Sequence, residues 1–441
     1  MKKVSIIGAG LVGSLLAIYL TRRNYKVTLF ERRGDMRKGG VAAGRSINLA
    51  LSDRGIRALR EVGIMQEIEK IAIPMYGRQM HNMDGSSPFQ PYGKENQCIH
   101  SVSRGELNKQ LMSLAEQHGA RIVFNKPLQH IAFDERTLHF EDGNTETSDL
   151  IFGSDGAYAA SRLSHQLQHN RFQYHQYYID FGYKELHIPP GPNGSFQMEK
   201  NALHIWPRGN YMLIALPNPD GSFTCTLFFP FEGNPSFASL DTAEKARQFF
   251  NDTFSDASAL MPSLEEDFMQ NPTSSLVTVK CFPWIRQDYF ALIGDAAHAI
   301  VPFFGQGMNC GFEDCAVLNE LIDVHHEDWN QILQAYQTLR KPDGDAIADL
   351  ALANFVEMRD KVAHPAFLLQ KKIEAAFSER YPDQWTPAYS MVTFRPDLRY
   401  SEALHRGNHQ ESIMRKVMAM PDIENKWNSE EVHAFILQQI H

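Results

Sequence analysis

At 441 residues the chain is longer than a single hydrophobic core usually serves, so two or three domains are expected. A hydrophobic share of 43% beside 22% charged residues excludes a disordered chain, and a net charge of −9 excludes the basic footprint of a nucleic-acid binder. No run of about 18 apolar residues is present to span a bilayer. The opening "MKKVSIIGAG" enters a strand at once, leaving no room for a signal segment, so a soluble, cytoplasmic protein is expected.

The first thirty or so residues read strand, glycine turn, helix, strand: "KVSII", "GAGLVG", "SLLAIYLTRRN", "YKVTLF". Near-continuous apolar strands around such a unit suit a parallel sheet buried on both faces. Residues from about 72 to 97 and from about 172 to 275 instead alternate apolar and polar positions, broken by turns such as "PPGPNG" and "PNPDG", which predicts antiparallel strands. Within them "YMLIAL" and "FTCTLFF" are too apolar for an exposed sheet face, so they should cover something. From about 307 the pattern is helical, with Pro342 and Pro365 as predicted helix boundaries. The predicted class is α/β (α+β overall). A Rossmann-like nucleotide domain (1–71, 98–171 and 276–320) is interleaved with an antiparallel β-sheet substrate domain (72–97 and 172–275), and a helical region (321–441) follows.

In "GAGLVG", Gly8 permits the tight turn, Gly10 lets backbone approach a pyrophosphate, and Gly13 lets helix pack on strand. The helix that begins around Leu11 and Val12 then offers free N–H groups and its positive end to phosphate. Glu31 closes the next strand, 18 residues after Gly13, where a carboxylate accepts hydrogen bonds from ribose hydroxyls; Arg32 follows it. A carboxylate there disfavours a 2′-phosphate, so the resident nucleotide is FAD or NAD. Cys98, Cys225, Cys281, Cys310 and Cys315 form no CxxC pair and have no His-rich company. That is the pattern of free thiols in a reducing compartment, with no metal-binding signature.

Two further strand ends carry short motifs: "DLIFGSDGAYAASR" ends in Asp155-Gly156, and "YFALIGDAAH" ends in Gly294-Asp295. With GAGLVG, in this order, they resemble the three-part signature of the FAD-dependent aromatic hydroxylases. The resemblance implies FAD as resident cofactor and Asp295 at its ribityl–ribose region. It also implies Asp155, with Arg162, in FAD and NAD(P)H handling, and Arg104 in "SRGELNKQL" at the flavin phosphates. Where that family usually has Ser after "DGxx" this chain has Ala159, with Ser161 displaced.

"GRSINLALSDRGIRAL", "YKEL", "LHIWPRG", "PFFGQGMN" and "NFVEMRD" together resemble the kynurenine 3-monooxygenase family over nearly the whole chain. The resemblance implies hydroxylation of L-kynurenine to 3-hydroxy-L-kynurenine in tryptophan degradation, with NADPH as a transient co-substrate and O2 activated as a flavin C4a-hydroperoxide. Such a substrate needs a carboxylate clamp and an apolar aryl slot. Arg78, with two parallel charged hydrogen bonds, and Tyr92, with a third donor, could form the clamp. Composition alone reads Arg78 as an exposed strand arginine, and the resemblance implies its place at the substrate carboxylate. The resemblance adds Asn354, Glu357 and Tyr389 to the pocket, and Ile214, Leu216 and Phe228 to the aryl slot. No side chain is assigned as catalytic acid or base, because the substrate's amine already activates the carbon ortho to it. A hydroxylase of another aromatic acid and a non-catalytic FAD-binding protein are the alternatives. A flavin halogenase is disfavoured, because no WxWxIP motif is present. Oligomeric state is left open, a homodimer included.

Gly305-Gln306-Gly307-Met308-Asn309 follows the Gly294-Asp295 pair by only ten residues. Its helix start is expected to face the pyrimidine edge of the flavin, which gains negative charge on reduction. Gly305, Gly307, Met308 and Asn309 are therefore cofactor candidates. Phe303 and Phe304 are expected beside the ring, where substrate meets it.

Overall fold

The computed structural model describes residues 1–39, 47–93, 97–357 and 364–440. The first residues of "GRSINLAL" and the end of "NFVEMRD", including Met358, lie outside the described residues.

A six-stranded sheet runs in the order Ile285–Arg286, Phe290–Leu292, Leu150–Gly153, Lys3–Ile7, Lys26–Phe30 and Arg121–Val123. All its pairings are parallel except the one at the Ile285–Arg286 edge. Its central strands are buried on both faces, with helices Leu11–Arg22, Arg104–Gln117 and Gly307–Val324 contributing to the same core. Register does the functional work. Ile7 pairs with Gly153, and Gly153 with Leu292. The loops that begin at Gly8, Ser154 and Ile293 therefore leave one edge of the sheet side by side. Three motifs distant in sequence meet because parallel strands end level with one another.

A seven-stranded sheet has the order Ser274–Phe282, Gln173–Ile188, Phe223–Pro230, Tyr211–Pro217, Ala202–Arg208, Gly77–Met80 and Phe89–Pro91. It is antiparallel except where Ala202–Arg208 meets Gly77–Met80. Leu186, Leu213, Phe223 and Phe229 pack on one face with Phe250 and Phe268 of two short helices. Met212 and Phe228 pack on the other with Phe303 and Phe355. Covering both faces is why every residue of Phe223–Pro230 is buried. Ala72–Met75 belongs elsewhere, in a small sheet with Asn48–Leu51 and Ile99–Ser103.

The helix Trp329–Val356 runs straight through Pro342, where the sequence predicts a boundary. A mid-helix proline costs about 3 kcal/mol, but the apolar stripe through Ile332, Tyr336, Ile347 and Ala351 continues on both sides of it, each at 1% exposure or less. The carbonyl of Leu339, one turn before the proline, is taken by the Arg399 guanidinium. Pro365 does open a helix, Pro365–Arg380, at the position where its missing N–H costs nothing. That helix, Tyr400–Met418 and Glu430–Ile440 share a separate apolar cluster around Ile373, Phe377, Met414 and Ile436. Among the described residues no helix is long and apolar enough to cross a membrane.

Candidate active site

The three glycines of GAGLVG divide their work visibly. Gly8 has φ +95°, and a Cβ there would lie 2.8 Å from the Ser154 carbonyl oxygen. At Gly13 a Cβ would lie 2.1 Å from the Gly8 carbonyl oxygen. At Gly10 nothing lies within 4 Å. Two glycines are thus required by the protein's own backbone, while the third faces open space at a helix N-terminus, the cradle a pyrophosphate needs. Leu11 and Val12 start the helix, and Val12 packs against Gly294 and Gly311. Glu31 is buried, accepting from the Ala9 amide at 3.0 Å and from Arg33 Nε at 3.0 Å. Arg32 is exposed beside it, and Arg33 is the arginine that pairs with Glu31.

At the second motif Asp155 accepts the Ser161 amide at 3.0 Å and also the Ser161 hydroxyl. Ala159 stands at the N-cap of Ala160–Leu167 without a side chain able to cap it. The aspartate takes over that function, so the displaced serine still meets the DG motif. Burial raises the Asp155 carboxyl, opposed by those Ser161 hydrogen bonds. Arg162, itself buried, donates to the Ala157 carbonyl at 2.5 Å and the Ala296 carbonyl at 2.8 Å, tying the second loop to the third. Asp295 begins the short helix Asp295–His298 and is exposed, within electrostatic reach of exposed Arg104 at the start of Arg104–Gln117.

Gly305 (φ +67°) closes the turn Pro302–Phe304, and Gly307 opens the helix Gly307–Val324. At Gly311 a Cβ would lie 2.5 Å from the Val12 side chain, so that glycine serves helix packing. Met308 is buried. Asn309 turns its side chain inward: Oδ1 accepts the Ser52 amide at 2.9 Å, while Nδ2 donates to the carbonyls of Ala50 at 2.8 Å and Gly305 at 2.9 Å. What this segment presents at its tip is backbone. The amides of Gly307, Met308 and Asn309 precede the first helical bond, from Cys310 N to Gln306 O at 2.8 Å.

The substrate candidates gather over the face of the seven-stranded sheet that Phe303 and Phe355 cover. The Arg78 guanidinium carbon is 4.4 Å from the Tyr389 ring centre and 5.4 Å from that of Tyr92. Those two rings lie 5.6 Å apart and 15° from parallel, and Phe304 stacks on Tyr389 at 5.7 Å. Among the described residues the buried Tyr92 hydroxyl has no partner at hydrogen-bond geometry, with Arg78 and Tyr389 its polar neighbours, and burial pushes its pKa well up, keeping it a donor. Among the described residues Arg78 has no carboxylate partner. An unneutralised guanidinium beside an unpaired phenol is a receptor for an anion. Leu216 and Ile214 pack in the same cluster. Ile214 and Phe304 also join the neighbouring cluster, in which Phe303 lies 5.1 Å from Phe228 and 4.6 Å from Phe355. Asn354 Nδ2 donates to the Phe303 carbonyl at 2.6 Å. Glu357 stands 3.8 Å from Lys371 of the helix Pro365–Arg380.

Sequence reasoning missed a buried ionic chain behind this site. Asp314 Oδ2 accepts the Gly294 amide at 3.0 Å and pairs with His298 Nε2 at 2.6 Å, while Oδ1 takes Arg340 Nε at 2.7 Å. Arg340 also pairs with Glu313 at 2.7 Å, and Glu313 with Arg54 at 2.7 Å. Cys310 lies 3.8 Å from His298 Nδ1 and 3.3 Å from Arg340 Nη2. The guanidinium of Arg340 supplies the cation that Cys310 and Asp314 face, and His298 pairs with the same Asp314. Adjacent acids inside the apolar run "GMNCGFEDCAVL" were the available signal, because buried carboxylates need partners.

An FAD binding domain family model matches residues 1–351. A protein named kynurenine 3-monooxygenase in Christiangramia forsetii is 51% identical over 447 residues, covering 100% of this chain and 99% of its own length. The protein of that name in Flavobacterium johnsoniae is 50% identical over 442 residues, covering 99% and 98%. The one in Dictyostelium discoideum is 42% identical over 454 residues, covering 100% and 97%. Among solved structures, the tetrameric form of 2-methyl-3-hydroxypyridine-5-carboxylic acid oxygenase matches with a TM-score of 0.68 at 20% identity, over 83% of this chain and 95% of that one. That last likeness is one of fold. Matched end to end by these relatives and built on an FAD-binding domain, the chain belongs to the kynurenine 3-monooxygenase family.

Proposed function

We propose that this protein hydroxylates L-kynurenine to 3-hydroxy-L-kynurenine, with FAD resident and NADPH and O2 as co-substrates. The observation that carries the reading is the unneutralised Arg78 beside the unpaired Tyr92 hydroxyl, under an aromatic wall next to the loops that suit FAD. The open space at Gly10, buried Glu31 at the strand end and the free amides at Gly307 fit the cofactor's pyrophosphate, ribose and ring ends respectively. In this reading the expected division at 72 and 276 shifts to follow the sheets: Ala72–Met75 goes with the FAD-binding part, whose small sheet it joins, and Ser274–Phe282 goes with the substrate part, whose seven-stranded sheet it joins.

Bound FAD supplies hydride acceptance and oxygen activation. The chain's residues bind, orient and keep water out. Arg78 holds the substrate carboxylate bidentately, with Tyr92 and Tyr389 donating from the sides. Ile214, Leu216 and Phe228 form the apolar wall for the aryl ring, and Phe303 and Phe304 separate it from bulk water. Asn354 fixes the Phe303 carbonyl, and Glu357, one helical turn on and 3.8 Å from Lys371, completes the pocket lining in this reading. The ring amine of kynurenine activates the carbon ortho to it, so no side-chain acid or base is assigned. A single full dinucleotide fingerprint in the sequence is consistent with NADPH binding transiently.

The direct test combines purified protein, L-kynurenine, NADPH and O2, and identifies the product by mass and by the position of the new hydroxyl. Hydroxylation at C3 with kynurenine-stimulated NADPH oxidation is expected. NADPH oxidation indifferent to kynurenine overturns the assignment.

A further inference from the structure

We propose that Arg54 is a positioning residue of the substrate site: it caps the C-terminal end of the helix Ala388–Phe394 and so sets where Tyr389 stands over Arg78. This rests on the reading above that Tyr389 meets the substrate.

Arg54 is the second residue of the helix Asp53–Glu61, and its side chain is fully buried. Its Nε donates to the Val392 carbonyl at 2.8 Å, and Nη2 reaches the carbonyls of Leu398 at 2.5 Å, Arg395 at 3.1 Å and Met391 at 3.4 Å. The last carbonyls of a helix have no intrahelical donor and carry the negative end of its dipole, so a planar cation with several N–H groups satisfies both needs at once. The helix has only seven residues and no side-chain cap at its N-terminus. Helices this short hold their place through tertiary contacts rather than propensity. Arg54 therefore does for Ala388–Phe394 what the helix cannot do for itself.

The other end of the lever is fixed on the flavin side. The Ser52 amide is held by Asn309 Oδ1 at 2.9 Å, and a Cβ on Gly55 would lie 2.5 Å from that same oxygen. Arg54 Nη1 pairs with Glu313, two residues past Gly311, and its guanidinium lies 4.0 Å over the Tyr400 ring. Tyr400 in turn donates to Gln306 Oε1 at 2.9 Å. One rigid connection thus runs from the GQGMN helix start, through Arg54, to the helix that carries Tyr389. It explains why "DRGIRAL", a stretch with no place in the cofactor or substrate site, puts an arginine where a solvated helix residue would otherwise stand.

The test compares wild-type holoenzyme with Arg54→Lys, Arg54→Met, Tyr389→Phe and the double variant Arg54→Lys/Tyr389→Phe. Lys keeps the charge facing Glu313 but loses the fork; in Arg54→Met, Glu313 still has Arg340. Expected for Arg54→Lys is a rise in KM for L-kynurenine of roughly tenfold. Its kcat should stay within about twofold, FAD occupancy should be unchanged, and its effect should be smaller in the Tyr389→Phe background. Hydrogen exchange should quicken in peptides covering 388–399 and stay unchanged over 3–22. Additive effects, a loss that falls on FAD occupancy, or exchange that quickens everywhere or nowhere overturns the proposal. Should Arg54→Met fail to fold, Arg54→Lys decides. Should wild-type enzyme ignore kynurenine, the assigned substrate fails, and the exchange pattern still decides the role of Arg54.

Discussion

The guanidinium of Arg78 stands 4.4 Å from the ring centre of Tyr389 and 5.4 Å from that of Tyr92, on one flank of two rings that stack 5.6 Å apart. Two aromatic faces hold a cation by about 0.5–2 kcal/mol each, which is less than a neutralising carboxylate provides in a partly dry site. The arrangement is therefore short of one anion. Its aromatic walls shape the space that the anion enters, and the unpaired Tyr92 hydroxyl waits on one side of it.

Arg78→Met should cost substrate affinity and little else. Hydrogen bonds to charged groups contribute about 1.5–3 kcal/mol, so KM for L-kynurenine should rise by roughly ten- to 150-fold. Thermal stability should hold or improve, since an uncompensated cation is removed. The sharper measurement uses 2-aminoacetophenone, which has the aryl ketone but no carboxylate. Its binding should be nearly indifferent to the substitution. Equal losses for both ligands would mean that Arg78 shapes the pocket without contacting a carboxylate.

Gly10 and Gly13 should respond oppositely to a single methyl group. In Gly13→Ala the new Cβ meets backbone at 2.1 Å, so the apoprotein itself should lose about 1–3 kcal/mol or fail to fold. In Gly10→Ala nothing lies within 4 Å, so apoprotein melting should be unchanged. FAD affinity should nevertheless fall by roughly tenfold or more, because the methyl enters the space where backbone approaches the pyrophosphate. Melting curves of the apoproteins with FAD titrations separate the two, and normal FAD binding by Gly10→Ala would remove the pyrophosphate from that cradle.

The His298–Asp314 pair predicts a pH-dependent stability. Burial alone lowers the His298 pKa, but Asp314 outweighs it and holds the imidazole well above its usual 6.5. Asp314 is likewise held below its usual 3.8 against burial, by His298 and Arg340. The histidine's contribution is complete below 6.5 and declines as pH rises toward the folded value, because the unfolded chain sheds the proton first. The aspartate's contribution is complete above 3.8 and is lost as pH falls through its folded value. Asp314→Asn should therefore cost about 3–5 kcal/mol near pH 6 and visibly less near pH 9. Melting temperatures of wild type and variant across that range provide the check, and an equal deficit at both ends sinks the idea.

How much of this was readable in the chain depends on whether a residue's partner is local. Glu31 could be placed because strand, turn, helix and strand are contiguous, so their geometry follows from periodicity. Three different motifs at strand ends resemble one signature when taken in order, but the register that aligns Ile7, Gly153 and Leu292 is a property of the sheet. Pro342 was misread because a local rule lost to distant packing. Asn309 was expected near the flavin, and its backbone suits that place, but its side chain is taken by Ser52 and Ala50, which no local pattern relates to it. Arg54 was invisible for the same reason. An arginine at the start of a polar helix looks solvated until the chain returns, more than three hundred residues later, to cover it.

Phe304 offers a prediction about water rather than affinity. It stacks on Tyr389 at 5.7 Å and ends the turn Pro302–Phe304, immediately before Gly305 and the free amides of the next helix. It also joins the cluster formed by Phe228, Phe303 and Phe355. In the proposed reading a side chain there stands between the aryl slot and solvent, beside the cofactor loops. Phe304→Ala should leave FAD bound and substrate-stimulated NADPH oxidation within about threefold of wild type, while roughly half or more of that NADPH yields H2O2 in place of hydroxylated product. The ratio of H2O2 to 3-hydroxykynurenine measures this directly. Parallel loss of NADPH oxidation and product would show that Phe304 only packs. A rising ratio with oxidation intact would show that the ring keeps water from the reacting atoms, because only the partition of reduced cofactor between product and peroxide would have moved.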